Sequence, residues 1–175
     1  MRKLLMLCFG VLIVGLLNFG VVQKERIIAD GATIFLKLRP VDPRSLLQGD
    51  YMRLRFEVEV QANSEINFEA IRTGNLVVRA DANGVGEFVR IDDDTALAAD
   101  EYAVHFASIA SRPELVPDSF FFQEGEASKF EAAEYAALVF AANRRDYVLR
   151  GLADESRILI NPRAALGLDL PAFLR

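Results

Sequence analysis

The chain is poor in the residues that carry most enzyme chemistry: 175 residues hold one cysteine, one histidine and no tryptophan. A single cysteine excludes an internal disulfide framework and a multi-cysteine zinc site. With one histidine, His105, a His-based triad or multi-histidine metal site has only one candidate member. Basic charge is also short. Lys+Arg is 20 against 25 Asp+Glu, giving a net charge of −5 and excluding a general nucleic-acid binder. No internal repeat, low-complexity segment or long linker interrupts the chain. The apolar fraction is 52% and the mean hydropathy +0.19, which excludes a disordered chain and leaves enough material for one domain of ordinary size.

Much of the apolar excess lies at one end. Leu4 to Val22 is a run of nineteen residues whose only polar side chain is Asn18. As a helix it would measure about 28 Å, close to the thickness of a bilayer's hydrocarbon core. Arg2 and Lys3 precede it, and Lys24, Glu25 and Arg26 close it. The stretch from Asn18 to Gln23 offers no small-x-small cleavage site, and the run has no polar stripe of the kind a buried core helix carries. Residues 1–23 are therefore expected to form a single uncleaved N-terminal transmembrane anchor, N-terminus cytoplasmic, with residues 27–175 as an extracytoplasmic domain. Cys8 follows Leu7 rather than a small residue, so it reads as an apolar side chain facing lipid or another helix. Gly10, Gly15 and Gly20 recur every five residues and make no clear small-xxx-small face. Without Arg2 and Lys3, 18 bases face 25 acids, so the domain carries −7 and is not built to adhere to anionic lipid.

Beyond residue 27 the dominant period is two. Ile34, Leu36 and Leu38 alternate with Phe35, Lys37 and Arg39, as in a half-buried strand. Met52, Leu54, Phe56, Val58 and Val60 alternate with Tyr51, Arg53, Arg55, Glu57 and Glu59, predicting one antiparallel strand from 51 to 60. Asn83-Gly84 between Leu76–Ala82 and Val85–Ile91 predicts a type I′ hairpin. Tyr102–Ile109 reads as a strand with Tyr102, Val104 and Phe106 inward and His105 outward. Ser119–Gln123, Tyr147–Leu152 and Arg157–Ile160 complete the strands. Three successive rings, Phe120 to Phe122, cannot all face one core, so at least one covers an edge, a partner or a membrane surface. Ser64–Arg72 suggests a short helix capped by Ser64, with Ile66, Ala70 and Ile71 buried. Glu131–Ala142 has helical propensity, yet Tyr135–Ala142 could pair with Tyr147–Leu152 across Asn143–Asp146. A helical turn near 126–133 followed by a strand is the favoured reading, with helix as its alternative. The expected fold is mainly β, an antiparallel barrel-like or sandwich-like domain with one or two short helices.

The connection from Leu38 to Tyr51 is the most distinctive segment. Pro40 and Pro43 remove two backbone donors, so the ladder cannot continue through it. Asp42 before Pro43 opens a turn, Gly49 supplies conformational freedom where the chain swings back, and Asp50 can accept from nearby amides. Gly49-Asp50-Tyr51-Met52-Arg53-Leu54-Arg55-Phe56 resembles the signature of the bacterial membrane-anchored GDYXXLXY family, and Arg39-Pro40-Val41-Asp42-Pro43-Arg44 is similar to that family's approach to it. Phe56 stands where the signature has tyrosine. The resemblance implies a bacterial envelope protein, often associated with polytopic membrane proteins, and implies no activity.

The residues favour a non-enzymatic interaction or binding module. Tyr51, Arg53 and Arg55 share the polar face of the second strand beside Asp42, Arg44 and Asp50; with Pro43, Gly49, Leu54 and Phe56 they make up the expected contact surface. The alternative is an envelope hydrolase or peptidase using Asp42 and Asp50 as paired carboxylates or Ser45 as nucleophile. Leu46-x-x-Gly49-Asp50 reproduces half of a signal-peptidase-type motif, but its nucleophile position falls on Val41 and its proline on Arg44, and the lysines outside the anchor are only Lys24, Lys37 and Lys129. No cofactor or metal is expected. Asp92-Asp93-Asp94 lacks the alternating ligands and closing glutamate of a calcium loop, and Gly84-Val85-Gly86 sits in a hairpin without a phosphate-receiving helix. Arg144-Arg145 reads as a hairpin tip.

Overall fold

The N-terminal residues form one long helix, α1 (Arg2–Asp30), in a computed structural model that describes residues 2–39, 51–122 and 125–160. α1 runs past the expected end of the anchor at residue 23 and stops at Gly31, whose N–H bonds Ile27 O at 2.9 Å. Between Phe9 and Val22 its large apolar side chains, Leu12, Leu17 and Phe19 among them, are exposed. Among the described residues, however, no helix is long and apolar enough to cross a membrane. The expected transmembrane span is therefore not recovered there.

The rest is mainly antiparallel β. β1 (Ala32–Lys37) and β9 (Tyr147–Ala153) flank β8 (Tyr135–Phe140) in a three-stranded sheet. β2 (Tyr51–Arg53) pairs with β7 (Ser119–Phe121). A four-stranded sheet has the order β4 (Gly86–Ile91), β3 (Thr73–Ala80), β5 (Glu101–Ile109), β6 (Arg112–Leu115). The sheets meet at β1: Phe35 bridges Val85 and Leu38 bridges Phe56. One apolar cluster takes Ile34 and Leu36 from β1, Met52 from β2, Leu76 and Val104 from the large sheet, and Leu138 from β8. On the central strands β3 and β8, Leu76–Val78 and Ala136–Phe140 are buried without alternation, as strands covered on both faces should be.

The strands expected at 34–39, 76–82, 85–91, 102–109 and 147–152 have counterparts in β1, β3, β4, β5 and β9, and residues 126–140 follow the favoured reading: a 3-10 turn at Ala127–Phe130, then β8 paired to β9. Four expectations fail. The strand from 51 stops at Arg53, and the chain turns into the helix α2 (Glu57–Glu65). Val58 and Ala62, four apart, lie buried on one face of that helix, so Val58 satisfies the helical period as well as the period of two. The helix expected at 64–72 is displaced by it: Ser64 lies in the last turn of α2, where its hydroxyl donates to Gln61 O, and Ala70 is exposed. The hairpin after β3 is not type I′, because only Gly84 has positive φ, +76°. Gly84 N–H bonds Asp81 O and Asp81 N–H bonds Val85 O, while the Asp81 carboxylate accepts from Asn83 and Val85 amides. This is a three-residue loop with one left-handed residue, shaped by the Asp81 side chain. Finally, Arg157–Ile160 forms no strand, contributing the isolated bridge from Leu159 to Ala153 and the Ile160 N–H bond to Leu152 O.

Candidate functional site

Pairing of β2 with β7 aligns Tyr51 with Phe121, Met52 with Phe120 and Arg53 with Ser119. Alternation then sends Met52 and Phe120 into the core and leaves Tyr51 and Phe121 outside. Their rings lie 5.7 Å apart, tilted by 40°. Tyr51 is 43% exposed and Phe121 71%, so this pair presents an aromatic surface rather than finishing the core. Of the three consecutive phenylalanines, Phe120 and Phe122 are buried against Phe130, and Phe121 is the ring left over.

Beside the rings lies a set of charges anchored on β6. Arg55 Nη1 is 2.7 Å from Glu114 Oε1, and Arg53 Nη2 lies 3.6 Å from Glu114 Oε2 and 3.7 Å from Asp118. Glu114 is buried, and its Oε2 has no hydrogen-bond partner among the described residues, the Arg53 contact being an ion pair beyond hydrogen-bonding distance. Glu59, on the first turn of α2, is also buried. It accepts from Phe56 N at 3.1 Å, half of a capping box, and from Leu115 N at 2.8 Å, so one carboxylate ties the start of α2 to β6. Burial pushes the Glu59 carboxyl above its usual range, assisted by the Glu114 charge and opposed by the Leu115 and Phe56 amides and by Arg55. The two glutamates form one wall of a cleft of about 440 Å³, completed by Arg39, Arg55, Val60 and Arg112.

The structure brings Tyr51, Arg53 and Arg55 of the expected surface together. Tyr51 and Arg53 face outward, and Arg55 turns toward Glu114. Leu54 and Phe56, expected as part of the contact surface, are core residues at 1% exposure, because their alternation with Arg53 and Arg55 turns them inward. Asp42, Pro43, Arg44, Ser45, Gly49 and Asp50 lie outside the described residues. His105 is exposed, with its ring nitrogens 3.2 Å from Thr73 Oγ1 and Asn75 Oδ1. Among the described residues no group of three or more His, Cys, Asp or Glu is placed to hold a metal ion. Asp92 and Asp93 instead pair with Arg145 and Arg90. The sequence reading missed Glu59, Glu114 and Phe121 as members of the site. A glutamate three residues after the cap residue is a helix-start signal, but Phe56 at the cap position conceals it.

A helix-led antiparallel β domain with a short two-stranded ribbon at its surface defines the class of protein. Within that class the chain belongs to the GDYXXLXY protein family, whose model matches residues 13–149. No curated protein and no solved structure matches it.

Proposed function

We propose that the chain is a membrane-anchored, non-enzymatic interaction module of the bacterial cell envelope, accessory to a polytopic membrane protein. The observation that carries this reading is the exposed Tyr51–Phe121 pair flanked by Arg53. Aromatic residues and arginine are the side chains that dominate binding energy at protein contacts, and two rings already packed on each other lose little conformational freedom on binding. The anchor is the nineteen-residue apolar run from Leu4 to Val22. Exposed apolar side chains along α1 support it, since such a surface is unfavourable in water. The basic N-terminus stays cytoplasmic and the acidic β domain lies outside the cytoplasmic membrane.

The test is co-purification from solubilised membranes. Tyr51→Ala and Phe121→Ser are expected to leave thermal unfolding nearly unchanged while removing the captured membrane protein. Retention of that protein by both variants would overturn the reading. A reporter joined after Arg175 is expected to be active outside the cytoplasm, and activity confined to the cytosol would overturn the placement.

A further inference from the structure

We infer that the turn between β8 and β9, together with Val116 and Pro117, lies in the zwitterionic headgroup layer of a phospholipid bilayer. The inference rests on the anchor proposed above and fixes which face of the β domain is turned to the membrane. α1 does not end where its apolar run ends: from Val22 to Asp30 it rises a further stretch of about 12 Å. The headgroup region on each side of a bilayer is only about 5–8 Å deep, so a domain that merely followed α1 would stand clear of it. This domain folds back along the helix instead.

Phe19 and Val22, in the last turn of the run, share a cleft of about 500 Å³ with Ala141 and Ala142, just past the end of β8. Gly20 and Lys24 share another, of about 680 Å³, with Val116, Pro117 and Tyr147. Gln23 and Ile27 line both clefts. Residues four apart lie on one face of a helix, so that face of α1 is toward the β domain. Gly31 holds the arrangement. A Cβ added there would lie 2.5 Å from Phe140 O and 2.6 Å from Val139 Cγ1, so the end of α1 is seated directly on β8. β1 then pairs with β8 from its first residue, Ala32 opposite Phe140.

The chemistry of this face suits the boundary between hydrocarbon and water. Phe19 is 71% exposed, and Val22 and Val116 are each 44% exposed, so apolar surface continues from the anchor onto the domain. Such surface is unfavourable in water and finds cover at the edge of a bilayer. Charged side chains in the same place keep it out of the hydrocarbon itself. Lys24, Arg26 and Arg145 line the clefts against Asp30 and Asp146, and Asp92 pairs with Arg145, so these charges cancel. A headgroup with one phosphate and one ammonium meets that balance. Anionic lipid gains nothing from it and is opposed by the −7 of the whole domain.

The experiment places a single bimane-labelled cysteine in the full chain carrying Cys8→Ser, reconstituted without any partner into phosphatidylcholine vesicles. A lipid spin-labelled at its headgroup is the quencher. Ala142→Cys and Val116→Cys, both at exposed side chains, are expected to lose emission when it is added, with thermal unfolding as in the parent chain. Arg112→Cys, at the other end of β6 from Val116 and about 13 Å away, is expected to keep its emission. Unquenched labels at both 116 and 142, in chains that float with the vesicles, would overturn the proposal and leave the anchor standing. Equal quenching at 112, or quenching that appears only when phosphatidylglycerol is added, would also overturn it. A chain that does not float with the vesicles would overturn the anchor, and this inference with it. Because no partner is present, the outcome is independent of the Tyr51–Phe121 surface.

Discussion

The four-stranded sheet and the segment from Tyr51 to Glu65 carry similar alternating sequence and fold differently. In the sheet, alternation is backed by ladders: β3 pairs β5 from Thr73 to Arg79, and β4 on its other edge. In the second segment Met52, Leu54 and Phe56 alternate inward as a strand would, yet only Tyr51–Arg53 form a ladder, and Phe56 adds an isolated bridge to Leu38. From there a single side chain, Glu59, accepts two amide hydrogens and the chain becomes helical. Alternation reports which residues are buried. The partner strand, or the cap, decides the backbone.

The largest expected effect breaks that comparison at its weakest point. Glu59→Ala leaves the Phe56 and Leu115 amides unpaired in a buried setting and should cost about 2–4 kcal/mol, measured by chemical denaturation. A loss below about 1 kcal/mol would show that α2 forms without its cap. Glu59 also gives the contrast a pH signature. Its folded pKa is raised above the usual 4.5, so the native chain keeps the proton after the unfolded chain has released it. Its contribution to stability therefore falls as pH rises from the unfolded value through the folded one. Glu59→Gln should remove that slope relative to the parent chain. An unchanged slope would contradict the assignment.

A second side-chain tie joins the two larger sheets. Tyr147 donates its hydroxyl to Val116 O and accepts from His105 N at 3.1 Å, and burial pushes its pKa up to about 12. The folded phenol holds its proton between pH 10 and 12 where the unfolded one loses it, so stability falls across that window. The loss should be about 2 kcal/mol and absent in Tyr147→Phe. Equal alkaline loss in both chains would mean that the phenol is not the titrating group. Gly84→Ala places a side chain at φ +76° and should cost roughly 1 kcal/mol, sharpening the view that the hairpin is set by its ladder and Asp81 more than by its turn type. Tyr51→Ala should change stability least, by less than about 0.5 kcal/mol, because the ring is a surface side chain.

What the residues reveal on their own follows the same division. Ile34 and Leu36, Val104 and Phe106, and the pairing of residues 135–140 with 147–152 are local patterns, and the structure contains them. The Ala-rich stretch Tyr135–Phe140 has helical propensity, yet β1 and β9 on its two sides make it a central strand. Propensity cannot see those neighbours. Tyr51 and Arg53 were legible as outward residues, and Phe121 only as one of three rings lacking room inside. Glu114 was not legible at all. It joins Arg53, Arg55 and Glu59 because β6 packs beside α2, and no spacing between residues 53 and 114 encodes that approach.

The central claim is that the ribbon carrying Tyr51 and Phe121 is the surface that meets another protein. A photo-crosslinking residue introduced at Phe121 in intact cells tests it most directly, with the exposed position Glu87 on β4 as control. The account predicts a crosslink from position 121 to an integral membrane protein, lost when Tyr51→Ala is added and absent from position 87. Crosslinks of equal yield from both positions, or none from 121, would contradict it.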